Sequence, residues 1–153
     1  MYYVMILALM VVLPIVSIVG EVIATPDASL ILPIGKWFVF WAVGVRLFAA
    51  GLKQILQPEF TAKTIFEIED PGAMKVVSEL GIANVAMGLV GLASLYFPGW
   101  TMPAAVAGLL FYGLAGIRHL GNRQRNTIEN VATATDLWAA LALAVFVGGS
   151  VIG

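Results

Sequence analysis

Five times in 153 residues the sequence runs for about 20 positions with almost no charge, which is the helical length needed to cross the roughly 30 Å hydrocarbon core of a bilayer. The runs cover approximately 2–24, 36–56, 73–97, 102–118 and 131–152. Lipid gives a backbone no hydrogen-bond partner, so each run has to satisfy its own N–H and C=O groups as a helix. A mean hydropathy of +0.98 with 11% charged residues points the same way, because so small a fold exposes much of its surface and so apolar a surface needs lipid around it. The expectation is an all-α, polytopic membrane bundle, a single domain over residues 1–153 with five transmembrane helices. The first run could pass for a signal peptide, since "VIATPDA" loosely resembles a cleavage site. It lacks a basic start and its apolar stretch is too long, so it is read as a retained helix.

Lysine and arginine set the orientation. With five spans, Lys53, Lys63, Lys75, Arg118, Arg123 and Arg125 fall at one membrane face and only Lys36 at the other. By the positive-inside rule the N-terminus and the loops 57–72 and 119–130 are cytoplasmic and the C-terminus is outside, in a multi-pass protein of the inner (plasma) membrane. Trp37, Trp41 and Trp100 then lie at the outer interface, where aromatic belts form. Pro26 and Pro33 break helices in the outer loop, a kink is expected at Pro14 in the first span, and Glu21, near the outer surface on the same face as Pro14, is expected to be solvated or paired. In the loop "QPEFTAKTIFEIEDPG", Pro58 suits a helix start and Phe60, Ile65, Phe66 and Ile68 can dip into the interface, which predicts a short interfacial helix. The third and fourth runs, joined by "PGWTMP", form a tight antiparallel hairpin.

Several polar residues fall inside the spans, where they are costly and turn towards a partner or a cavity. Arg46 lies 11 residues before Gln57, about 16 Å along the helix, near mid-bilayer. Lys53 follows on the same face, with Ala49 and Ala50 leaving room between them. Glu79 enters from the third span and Asn84 reaches the depth of Arg46, so the expected partnerships are Glu79 with Lys53 or Arg46, and Asn84 with Arg46. In the fifth span Glu129, Thr133, Asp136 and Ala140 form one inward stripe. The stretch "GIRHLGNRQRNTIEN" holds the only histidine, His119, which is either a helix end residue or a proton carrier or donor in a site. "NTIE" reads as a capping box in which Asn126 or Thr127 caps the fifth helix and Glu129 answers. The candidate ligand-binding set is Arg46, Lys53, Glu79, Asn84, His119 and Asp136. Gly81, Asn84, Gly88 and Gly91 share one face of the third span, as either close helix packing or a smooth pocket wall.

"RLFAAGLKQILQPEF" followed by "SELGIANVAMGLVGL" resembles the DoxX-like family of small bacterial membrane proteins, through Arg46, Gly51, Lys53, Pro58, Phe60, Glu79, Gly88 and Gly91. The resemblance covers the second to fourth spans. It implies a compact bundle that binds lipophilic molecules or quinones or accompanies a redox enzyme. The family typically has four helices, so one of the five is extra, and the histidine-bearing stretch lies outside its pattern.

These features favour a lipophilic or quinone-like ligand held on the cytoplasmic side, with quinone or lipid as the bound molecule. The competing class is a structural or accessory subunit, either a homo-oligomer or the companion of another membrane protein, whose charges hold helices together. A proton or small-ion pathway ranks third, because Arg46 puts a fixed positive charge in the route and no span is doubly interrupted. A net charge of −1 argues against a nucleic-acid partner, and with zero cysteines and one histidine there is no first shell for zinc or copper. Whether any reaction is catalysed is left open by the residues.

Overall fold

The computed structural model describes residues 2–27, 29–65, 67–122 and 126–152, and these contain no β-strand. Five helices are long and apolar enough to cross a membrane: α1 (Tyr3–Ala24), α2 (Ile31–Leu56), α4 (Pro71–Ala93), α5 (Pro98–Gly121) and α6 (Thr127–Ile152). A short helical segment, α3 (Phe60–Ile65), lies in the loop between α2 and α4. Phe66, Arg123 and Arg125, given interfacial and orienting roles above, lie outside the described residues.

The helix starts follow local chemistry. Asp70 caps α4 by accepting from Gly72 N–H at 2.6 Å, and Pro71 fills the first helical position, where no N–H is needed. Asn126 caps α6, its Oδ1 accepting from Glu129 N–H at 2.9 Å. Pro33, read as a breaker, instead sits in the first turn of α2. That turn's N–H groups have no intrahelical acceptor, so a proline there costs little and the helix begins five residues earlier than the apolar run.

Packing pairs α2 chiefly with α4 and α5 chiefly with α6. The hairpin expected of α4 and α5 is thus a tight turn over 94–100 whose two arms find their main partners elsewhere. Glycine makes the α2–α4 contact possible. A methyl at Gly91 would lie 2.6 Å from Gly44 N, and one at Gly51 would lie 2.7 Å from Val85 N. Backbones this close are the small-residue packing of membrane helices.

The centre of the bundle is built from Phe38, Val39, Ala42, Val43 and Leu47 of α2, Ala104, Ala105 and Tyr112 of α5, Ala139, Leu143 and Phe146 of α6, and Ile6 and Met10 of α1. Within α2 the segment Val39–Arg46 widens into a π-helical turn, which loosens the backbone ladder and re-aims Arg46 at its end. Tyr112 uses that loosening, its buried hydroxyl donating to the Ala42 carbonyl.

A second π-turn, Ala8–Val12, occurs in α1 just before the buried Pro14. Pro14 has no N–H to give to the Met10 carbonyl, and Trp138 Nε1 of α6 donates to that carbonyl instead, at 3.1 Å. Trp138→Phe is expected to lower stability by about 1 kcal/mol, the net worth of one such bond, read as a reduced melting temperature in detergent. Further along α1, Ser17 accepts from Trp41 at 3.0 Å, and Glu21 accepts from Lys36 at 2.8 Å and Trp37 at 2.6 Å. Glu21 is therefore paired, and it ties α1 to the start of α2.

A polar cavity at one end of the bundle

At the end of the bundle that holds α3, the helices line a cavity of about 600 Å³. That volume falls within the range of about 300–1,000 Å³ usual for small-molecule sites. Its wall is mostly apolar: Met5 and Ile6 of α1, Ala49 and Ala50 of α2, Leu80 of α4, Phe111 and Ala115 of α5, and Ala132 of α6. Into it come Arg46, Lys53, Gln54, Asn84, Arg118, His119, Glu129 and Asp136, with Phe60, Thr61 and Ile65 of α3 laid over the loop side.

Five of the six candidates from the sequence meet here: Arg46, Lys53, Asn84, His119 and Asp136. Glu79 does not. It is exposed on the outer side of α4, because residues five apart on a helix are rotated by about 140° and Asn84 takes the inward direction. The partnerships expected for Glu79 with Lys53 or Arg46 are absent from the described contacts. Lys53 Nζ instead lies 3.4 Å from the centre of the Phe60 ring, a cation–π contact. Asn84 donates from Nδ2 to Gln54 Oε1 at 2.8 Å, so Gln54 takes the place foreseen for Arg46. Arg46 stands over Tyr112 with its guanidinium carbon 5.9 Å from the ring centre.

At the loop side His119 Nδ1 lies 2.9 Å from Glu129 Oε1, with the two side chains 21% and 14% exposed. Asn122 Nδ2 donates to both Glu129 oxygens, at 3.1 and 3.0 Å. The Glu129 side chain thus serves the cavity mouth, while its backbone N–H receives the Asn126 cap. Asn126 also reaches across to Glu67 in the preceding loop, at 2.9 Å. Deeper in, Asn84 Oδ1 and Asp136 Oδ1 are buried without a hydrogen-bond partner among the described residues. Thr133 and Thr135 do not serve them, since their hydroxyls donate back to the carbonyls of Glu129 and Val131, at 2.7 and 2.9 Å.

Gln54, Phe60, Arg118 and Glu129 join the site beyond the candidate set. Gln54 was accessible to helical arithmetic, since Arg46, Ala50 and Gln54 repeat every four residues on the face that carries Lys53. Glu129 lies on the Asp136 stripe and at the same time fits the capping-box pattern. Phe60 had no local signal, because its position depends on how the loop folds back. No group of three or more His, Asp or Glu that could hold a metal ion occurs among the described residues.

The arrangement can hold an amphiphile, with an apolar body against the alanine, leucine and phenylalanine walls and a polar head among the charged and amide groups. Comparison with family models, with curated proteins and with solved structures finds no match for this chain.

Proposed function

We propose that this multi-pass membrane protein binds a lipophilic or quinone-like small molecule in the cavity, with the cavity end towards the cytoplasm and the chain in the inner (plasma) membrane. The observation that carries the reading is a largely apolar space of about 600 Å³ lined also by Asn84 and Asp136, whose buried Oδ1 atoms have no hydrogen-bond partner among the described residues. A bundle using its charges only to join helices gains nothing from leaving buried acceptors unmet, since each costs about 1–3 kcal/mol. A site that meets a ligand does gain, because a few convergent polar groups in an apolar pocket fix a head group.

The test is mass spectrometry of molecules that co-purify with the protein from its own membranes in mild detergent. Wild type is expected to retain a lipophile in stoichiometric amount. Asp136→Asn, which changes a cavity oxygen without changing shape, is expected to lose most of it, and Glu79→Gln, on the outer face, is expected to keep it. Bulk phospholipid alone in all three would overturn the reading.

One observation favours a second reading beside this one. Glu79 and Lys75 are both exposed on the outer face of α4, and an ionisable group facing lipid is costly. Two copies of the chain meeting through that face would bring Lys75 of each near Glu79 of the other. Glu79→Gln is then expected to lower the oligomer fraction seen by light scattering while the retained ligand stays the same.

A further inference from the structure

The polar groups of the cavity differ in what they still need. Glu129 is supplied on both oxygens, Oε1 facing His119 Nδ1 at 2.9 Å and Asn122 Nδ2 serving both. Gln54 Oε1 is supplied by Asn84. Beside the Arg46 guanidinium, a donor that lines the same cavity, there remain two acceptors on two different helices. Asn84 and Asp136 are only 3% and 6% exposed, both line the cavity, and Oδ1 of each has no donor among the described residues. An amide oxygen and a carboxylate oxygen both accept and cannot donate. Each of these two oxygens therefore calls for a donor.

We propose that the cavity selects a head group that donates hydrogen bonds, a hydroxyl on a lipophilic body, and discriminates against a molecule of the same shape that only accepts. The proposal rests on the cavity being a binding site and adds which chemical form it takes: a phenol or hydroquinone is held, and the corresponding ether or quinone is disfavoured. An occupant with carbonyl or ether oxygens alone displaces water from the cavity and leaves Asn84 Oδ1 and Asp136 Oδ1 unmet. Sites built to hydrogen-bond a hydroxyl reject analogues lacking it far more strongly than apolar pockets reject an extra methylene. Shape is nearly unchanged between the two forms, so the discrimination comes from the proton.

The experiment uses two commercial probes, 4-nonylphenol and its methyl ether, titrated separately into the full-length protein in one detergent and followed by native mass spectrometry. The phenol is expected to bind about 10-fold more tightly, the effect of leaving a buried acceptor unsatisfied in the ether complex. The ether partitions more strongly into micelles, so non-specific uptake works against this result. Asn84→Leu and Asp136→Asn are each expected to move the ratio towards parity. Both are included so that one misfolded variant leaves the test standing.

Dodecanol and dodecyl methyl ether repeat the comparison on an aliphatic body. A preference in both pairs assigns the hydroxyl alone, and a preference only in the phenol pair assigns a hydroxyl on a ring. Equal binding of phenol and ether by wild type would overturn the selection while leaving the cavity a lipophile site. Binding of none of the four probes would overturn both.

Discussion

Gly88→Leu should leave no folded bundle. A Cβ at Gly88 would stand 2.5 Å from Phe48 N and 2.8 Å from Phe48 Cα, well inside contact distance. The obstacle is the backbone of α2, so no rotamer change relieves it and the α2–α4 pair must separate. Overpacking in a well-filled interior costs typically 1–3 kcal/mol, and a clash against backbone belongs at or beyond about 3 kcal/mol. That is a large part of the 5–15 kcal/mol that stabilises an ordinary domain. Gly88→Leu is expected to give aggregate in size-exclusion chromatography of a fluorescent fusion. Gly20→Leu is the control: a Cβ there meets nothing within 4 Å, so a monodisperse peak and a melting temperature close to wild type are expected. A monodisperse Gly88→Leu protein with an unchanged melting temperature would mean that α2 and α4 do not meet through this face.

That contact also shows what a one-dimensional reading reaches and where it stops. The spacing of Gly81, Asn84, Gly88 and Gly91 identifies a small-residue face on α4 from helical geometry alone, and the face is buried as packing requires. Its partner is a matter of three-dimensional arrangement, since α5 is nearer in sequence and α2 takes the contact. The same geometry separates Glu79 from Asn84 by rotation, although residue types and depth put both in the candidate set. Depth is read from residue counts and direction from the 100° step, and a site residue has to satisfy both. Arg46, Asn84 and Asp136 satisfy both and reach the cavity. Two features had weaker signals. The π-turn over Val39–Arg46 has no counterpart in the apolar pattern of the second run, and Lys53 resting on Phe60 depends on the loop fold.

The charges of the cavity pose the sharpest energetic question, and a double substitution answers it. Arg46 and Asp136 come from different helices and bring opposite charges into the same cavity. Removing one member of a buried charge pair strands the other, at about 3–5 kcal/mol, whereas replacing both with apolar residues of similar volume is often neutral or stabilising. Arg46 is only part-buried, which places Arg46→Leu near the lower end, about 3 kcal/mol. Asp136→Leu removes the carboxylate and leaves Arg46 without that counter-charge, with a similar expected loss. Arg46→Leu/Asp136→Leu is then expected to melt within about 1 kcal/mol of wild type, a coupling that only residues sharing an interaction produce. Its ligand is a separate readout. A double variant that folds like wild type and co-purifies with no lipophile shows that an apolar end suffices for the bundle, so that the charges serve the bound molecule. Losses that simply add, with the double variant about 6 kcal/mol down or unfolded, would show instead that each residue braces the helices through its own contacts.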